Sequence, residues 1–127
     1  MDRLFTSVFA DDVEATAGFY VSLFGMQKHF ESDWFVILVH ADKPGIEFGV
    51  LASDSDVVPV SERTAPAGMM VTFVVDDCDA HFATATALGA AVVEPPTVMP
   101  YGQKRALVRD PAGTLLDISS PVSANPG

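Results

Sequence analysis

Cysteine occurs once in this sequence, as Cys78, so no disulfide can form within the chain. Basic side chains are scarce too: seven Lys and Arg stand against seventeen Asp and Glu, a formal net charge of -10. The largest basic group is Lys104-Arg105 with Arg109 nearby, too small a footprint for duplex nucleic acid, which is excluded as a partner. No apolar run reaches transmembrane length, and Met1-Asp2-Arg3-Leu4-Phe5 leads into a strand instead of a signal-peptide core. A cytoplasmic protein with no membrane partner is expected. The three histidines (His29, His40 and His81) fall into no His-x-x-x-His or Glu-x-x-His pattern. A solvated or structural role is the simpler reading of each.

What the sequence does have is enough apolar material, 49% of 127 residues with 19% charged, for one domain spanning 1–127 with a hydrophobic core. Leu4–Phe9 is rich in strand formers. Asp11-Asp12 follows, with Asp12 placed to cap a helix over Val13–Phe24 whose apolar stripe is Val13, Ala17, Tyr20 and Phe24 and whose end is marked by Gly25. Strands are predicted at Gln27–Glu31, Trp34–His40 and Ile46–Leu51. The pattern then restarts. Met69–Val75 is a strand, Asp76-Asp77 matches Asp11-Asp12, and a helix over Cys78–Leu88 is closed by Gly89. Ala91–Val93 is a strand that Pro95-Pro96 is expected to interrupt. The chain therefore reads as α+β, two tandem β-α-β-β-β modules at about 3–52 and 68–121, joined by a linker at 53–67.

The last two strands form a hairpin across Asp110-Pro111-Ala112-Gly113, where Pro111 fixes φ, Asp110 can accept backbone N–H groups and Gly113 can take positive φ. Asp117 interrupts the apolar strand that follows. A carboxylate there either faces water or sits in a cavity with a purpose.

Phe19-Tyr20 with Leu23-Phe24-Gly25-Met26, then Val74-Val75-Asp76-Asp77, then Asp110 through Asp117, come in an order and spacing that resemble the vicinal oxygen chelate superfamily, the glyoxalase, bleomycin-resistance and dioxygenase group. The resemblance implies strands curled into an incomplete barrel around a cavity, and a homodimer. It also implies metal-ligand positions on the first and fourth strands of each module, which fall here on Phe5, Glu47, Met69 and Asp117. Phe5 has no donor and Met69 offers only a thioether, poorly matched to hard divalent ions. No metal and no cofactor are expected.

Two functions follow. The first is a small-molecule binding protein of the bleomycin-resistance type that sequesters a neutral or cationic aromatic compound. Its expected lining is Phe5, Phe9, Trp34, Glu47, Met69, Phe73, Tyr101, Arg109 and Asp117, with aromatic faces for stacking and carboxylates for a cation. The second is a lyase, isomerase or dioxygenase-like enzyme with an altered metal or acid–base site at Glu47 and Asp117. Cys78, in a helix stripe without an adjoining base, is read as core and not as a nucleophile.

Overall fold

In a computed structural model that describes residues 1–122, the order strand, helix, strand, strand, strand runs twice. The first set is β1 (Thr6–Ala10), α1 (Val13–Phe24), β2 (Met26–Glu31), β3 (Phe35–His40) and β4 (Glu47–Ala52). The second is β5 (Met70–Val74), α2 (Cys78–Ala87), β6 (Ala91–Val98), β7 (Gln103–Arg109) and β8 (Leu115–Pro121). By its contacts the chain separates into two units. One is Met1–Pro66 with Pro111–Gly113, the other Ala67–Asp110 with the residues from Thr114 onward.

Both α-helices begin on an aspartate because the first N–H groups of a helix have no partner inside it. The Asp12 carboxylate accepts the Ala15 N–H at 2.9 Å, and that of Asp77 accepts the Ala80 N–H at 3.1 Å. Gly25 ends α1 at φ 67°, a left-handed conformation that favours glycine, and its N–H donates to Val21 O. In the first unit α1 covers one face of the sheet: Tyr20 is fully buried, with its ring centroid 4.6 Å from that of Phe48. Val8, Val36, Leu38 and Val50 share that face by register and are buried. In the second unit α2 covers Leu116, Ile118, Ala106 and Val108, and the Cys78 N–H donates to Ser120 Oγ from the same side.

The two sheets have the strand orders β1-β4-β3-β2 and β5-β8-β7-β6. The first and last strands of each set pair in parallel and the others antiparallel. This corrects the expected curled, incomplete barrel. Neither sheet is closed or strongly curled: each ends in two edge strands, β1 and β2 in one and β5 and β6 in the other. Four strands are too few to bend round and pair edge to edge, since even a small barrel takes about eight.

The prolines bring a second correction. β6 runs unbroken from Ala91 to Val98, through Pro95 and Pro96. It is an edge strand, paired only with β7, and its register slips between Val92 and Glu94 and again between Glu94 and Thr97. A proline that lacks the ladder donor is tolerated at such a bulge on an edge.

Candidate functional site

In each unit the helix occupies one face of the sheet, and the faces turned away from the helices differ in chemistry. On the first sheet, register with β4 places Ser7, Phe9, Glu47, Gly49, Leu51, Phe35, Ile37 and Val39 together, an apolar surface with one carboxylate. On the second, Gln103, Arg105, Leu107 and Arg109 of β7 align with Pro121, Ser119, Asp117 and Leu115 of β8, and Thr72 of β5 lies beside Asp117. This face is mainly polar.

Asp117 resolves the question its sequence position posed. It is 6% exposed, and its oxygens are taken by hydroxyls: Ser119 Oγ donates to Oδ1 at 2.6 Å and Thr72 Oγ1 to Oδ2 at 3.1 Å. A buried carboxylate is costly unless it is hydrogen-bonded, and here both oxygens are. Beside it Arg105 Nη2 donates to both carboxylate oxygens of Glu94 at 3.2 Å, and this hydrogen bonding raises the Arg105 pKa above its ordinary value. Arg105 Nε and Gln103 Oε1 are buried with no hydrogen-bond partner among the described residues.

Glu47 sits at the start of β4, and Arg3 grips it with a fork: Nε reaches Oε2 at 2.7 Å while Nη2 pairs with Oε1. The same guanidinium stands 4.7 Å above the Phe5 ring. Hydrogen bonding to Arg3 holds the Glu47 carboxyl below its ordinary pKa, with the charge attraction adding to it. A carboxyl depressed in the folded state stabilises the fold above its unfolded pKa and loses that contribution as pH falls through the folded one. Acidification below the usual carboxylate range should therefore lower the urea midpoint of the parent more steeply than that of Glu47→Gln. Parallel pH curves for the two proteins would dismiss the Arg3 pairing as a source of stability.

The other expected residues are scattered. Phe9 lines a cavity of about 160 Å³ in the first unit together with Asp11, Ser53, Arg63, Thr64, Ala65, Pro66 and Ala112. Arg63 is fixed there by donating to Val58 O and Ser55 O. Trp34 is 40% exposed and stacks on Phe35 with centroids 5.7 Å apart. Met69 is exposed just before β5. Phe73 pairs in register with Ile118, on the α2 face, whereas Asp117 points from the opposite face, so these two do not line a common space. Tyr101 is exposed in the turn before β7, and Arg109 lies at that strand's end on the face away from α2. Glu47 and Asp117 belong to different units. Cys78 is buried, its Sγ donating to Ile118 O, and burial raises its thiol pKa, as a core residue should behave.

Sequence reading missed Arg3, Thr72, Glu94, Gln103 and Ser119 as site residues. Only Ser119 had a signal available: it stands two residues from Asp117 on one strand and so on the same face. The others depend on which strands become neighbours.

The ligand positions implied for a divalent metal do not fit one. Phe5 and Met69 supply no hard donor, both Glu47 oxygens are engaged by Arg3, and both Asp117 oxygens by hydroxyls. Among the described residues no group of three or more His, Cys, Asp or Glu is placed to hold a metal ion. None of the described helices is long and apolar enough to cross a membrane.

Known structures share this architecture. A glyoxalase/bleomycin resistance protein/dioxygenase family enzyme from Burkholderia phytofirmans PsJN is 22% identical, with a TM-score of 0.79 over 93% of this chain and 97% of the other. A glyoxalase-related enzyme from Fulvimarina pelagi is 22% identical, with a TM-score of 0.77 over 98% and 94%. Lactoylglutathione lyase from Agrobacterium tumefaciens is 21% identical, with a TM-score of 0.69 over 92% and 91%. At these identities the likeness establishes the fold alone. A comparison with curated proteins finds no match. The family model for the Glyoxalase/Bleomycin resistance protein/Dioxygenase superfamily matches residues 3–118, and the chain belongs to that superfamily.

Proposed function

We propose that this chain is a small-molecule binding protein of the glyoxalase/bleomycin-resistance type, that it works without a divalent metal at the family's ligand positions, and that its ligand is a neutral or cationic aromatic compound. The observation that carries this reading is the state of the two carboxylates. Glu47 is already paired with Arg3, and Asp117 is already satisfied by Ser119 and Thr72. An acid–base enzyme using Glu47 would need that carboxyl to exchange a proton near neutral pH, and Arg3 favours its ionised form. The aromatic part is supported by Phe9 and Phe35 on the apolar face away from α1, with Trp34 stacked on Phe35. The net charge of -10 favours neutral or cationic ligands over anionic ones. A homodimer is part of the proposal, because β6 exposes Val92, Val93 and Val98 along an edge strand.

Trp34 is the single tryptophan and therefore a built-in reporter. Titration with N-methylquinolinium and with quinoline should change its fluorescence saturably, and 1-naphthalenesulfonate should bind at least about tenfold more weakly, a difference of about 1.4 kcal/mol. Tightest binding of the sulfonate, or saturation by none of the three, would count against the proposal.

A further inference from the structure

Arg3, Lys28, Lys104 and Arg105 each pair with a carboxylate, and Arg63 does not. In a chain with seventeen Asp and Glu against seven Lys and Arg, a guanidinium left without one stands out. The group is nevertheless held in place: Nε donates to Val58 O at 2.9 Å and Nη2 to Ser55 O at 3.2 Å. Both acceptors are uncharged. They fix the plane of the guanidinium, leave its positive charge unanswered and leave the Nη1 donors outside these bonds.

Arg63 lines the cavity of about 160 Å³ in the first unit, and Asp11 lines the same cavity. The Oδ1 atom of Asp11 accepts the Ser53 hydroxyl at 2.7 Å, and among the described residues Asp11 forms no ion pair. A cation and an anion thus stand on the walls of one small space without pairing, and the two carbonyl bonds keep Arg63 from swinging across to Asp11. The volume limits what can enter. Pockets for drug-sized ligands run to about 300–1,000 Å³, whereas a cavity of about 150 Å³ holds benzene, with its roughly six non-hydrogen atoms.

We propose that this cavity binds a small free amino acid as its zwitterion, the carboxylate accepting from Arg63 and the ammonium donating to Asp11. A simple carboxylate would answer Arg63 and bring a like charge beside Asp11. A simple amine would do the reverse. Only a solute with both charges serves both walls, and alanine carries them at a size close to that of benzene. This polar ligand is additional to the aromatic one proposed above and does not depend on it.

Alanine, propionate and ethylammonium separate the two charges, since the second lacks the ammonium and the third the carboxylate. In amide NMR titrations of the whole chain, alanine should shift the Ser53, Thr64, Ala65 and Ala112 signals saturably. It should bind about fivefold more tightly than either of the others, the upper worth of one solvent-screened ion pair. Asp11→Asn keeps an oxygen for the Ser53 hydroxyl and removes the charge; it should weaken alanine about fivefold without weakening propionate. Arg63→Gln should weaken alanine and propionate alike and spare ethylammonium. Should Arg63→Gln fail to fold, the Asp11→Asn comparison decides alone. Propionate or ethylammonium binding as tightly as alanine overturns the zwitterion site. So does an Asp11→Asn protein that binds alanine as the parent does, or the absence of saturable shifts at those amides. None of the three probes is aromatic, so each of these outcomes leaves the aromatic-ligand reading standing.

Discussion

Tyr20→Ala should cost about 3–5 kcal/mol of folding stability, the usual range for removing a large buried aromatic side chain. Tyr20 is fully buried where α1 meets its sheet, with Phe48 at 4.6 Å, Phe19 at 5.5 Å edge-on and Phe24 at 6.4 Å, all between ring centroids. Those three rings cannot follow the lost side chain inward without leaving their own contacts, so the vacated space persists as a cavity. Total stabilities of single domains run to about 5–15 kcal/mol, and a loss of this size is a large share of that. The measurement is urea unfolding followed by circular dichroism. Tyr20→Phe, which keeps the ring, is the control and should lose far less. A loss under about 1 kcal/mol for the alanine variant would mean that the α1 interface is not packed as described.

Replacement of Asp117 should separate stability from binding. Asp117→Ala removes the acceptor for two hydroxyls, of which Ser119 is buried at 3% exposure, and a loss of about 1–3 kcal/mol is expected. Asp117→Asn retains one oxygen for Ser119 and presents an amide to Thr72, whose hydroxyl can accept as well as donate. It should stay within about 1 kcal/mol of the parent, because relief from burying a charge offsets the weaker hydrogen bonds. For ligands the order reverses its meaning. The proposed preference for a cation assigns part of the attraction to the Asp117 charge. Asp117→Asn should weaken N-methylquinolinium by about 1–3 kcal/mol and leave quinoline unchanged. Equal affinities across the two proteins and two compounds would remove Asp117 from the binding account.

Features that depend on neighbours in sequence were legible before any coordinates. Asp12 and Asp77 cap their helices, Gly25 takes the left-handed conformation, and the Asp110 carboxylate accepts the Thr114 N–H at 2.9 Å across a turn where Gly113 has φ 95°. Each is decided within four residues. The repeat of strand, helix and three strands was legible for the same reason, being a sum of local signals. Strand neighbourhood was not. Pro95 and Pro96 read as the end of a strand because nothing in the sequence says that β6 lies at an edge, where bulges absorb them. Arg3 comes to Glu47, Arg105 to Glu94 and Thr72 to Asp117 through strand register and chain path that no spacing encodes. Alternation along β5 places Val71 and Phe73 on one face, but that this face is the one that meets α2 is fixed by the crossover and not by spacing.

The parallel pairing of first with last strand has a consequence for how the protein is made. Thr6 faces Phe48, and Met70 faces Leu115, so in each unit the strand synthesised first waits for the strand synthesised last. That last strand is interior, lying between the first strand and the third, and until it arrives the only sheet contact available is the antiparallel pair before it. Closing so long a loop is entropically costly, and pairings of this range fold slowly. On the ribosome the first unit can complete its sheet once β4 has emerged, while β5 of the second must stay unpaired until β8 follows. Its Met70 and Val74, exposed even in the finished fold, are then the stretch most open to wrong pairing during synthesis.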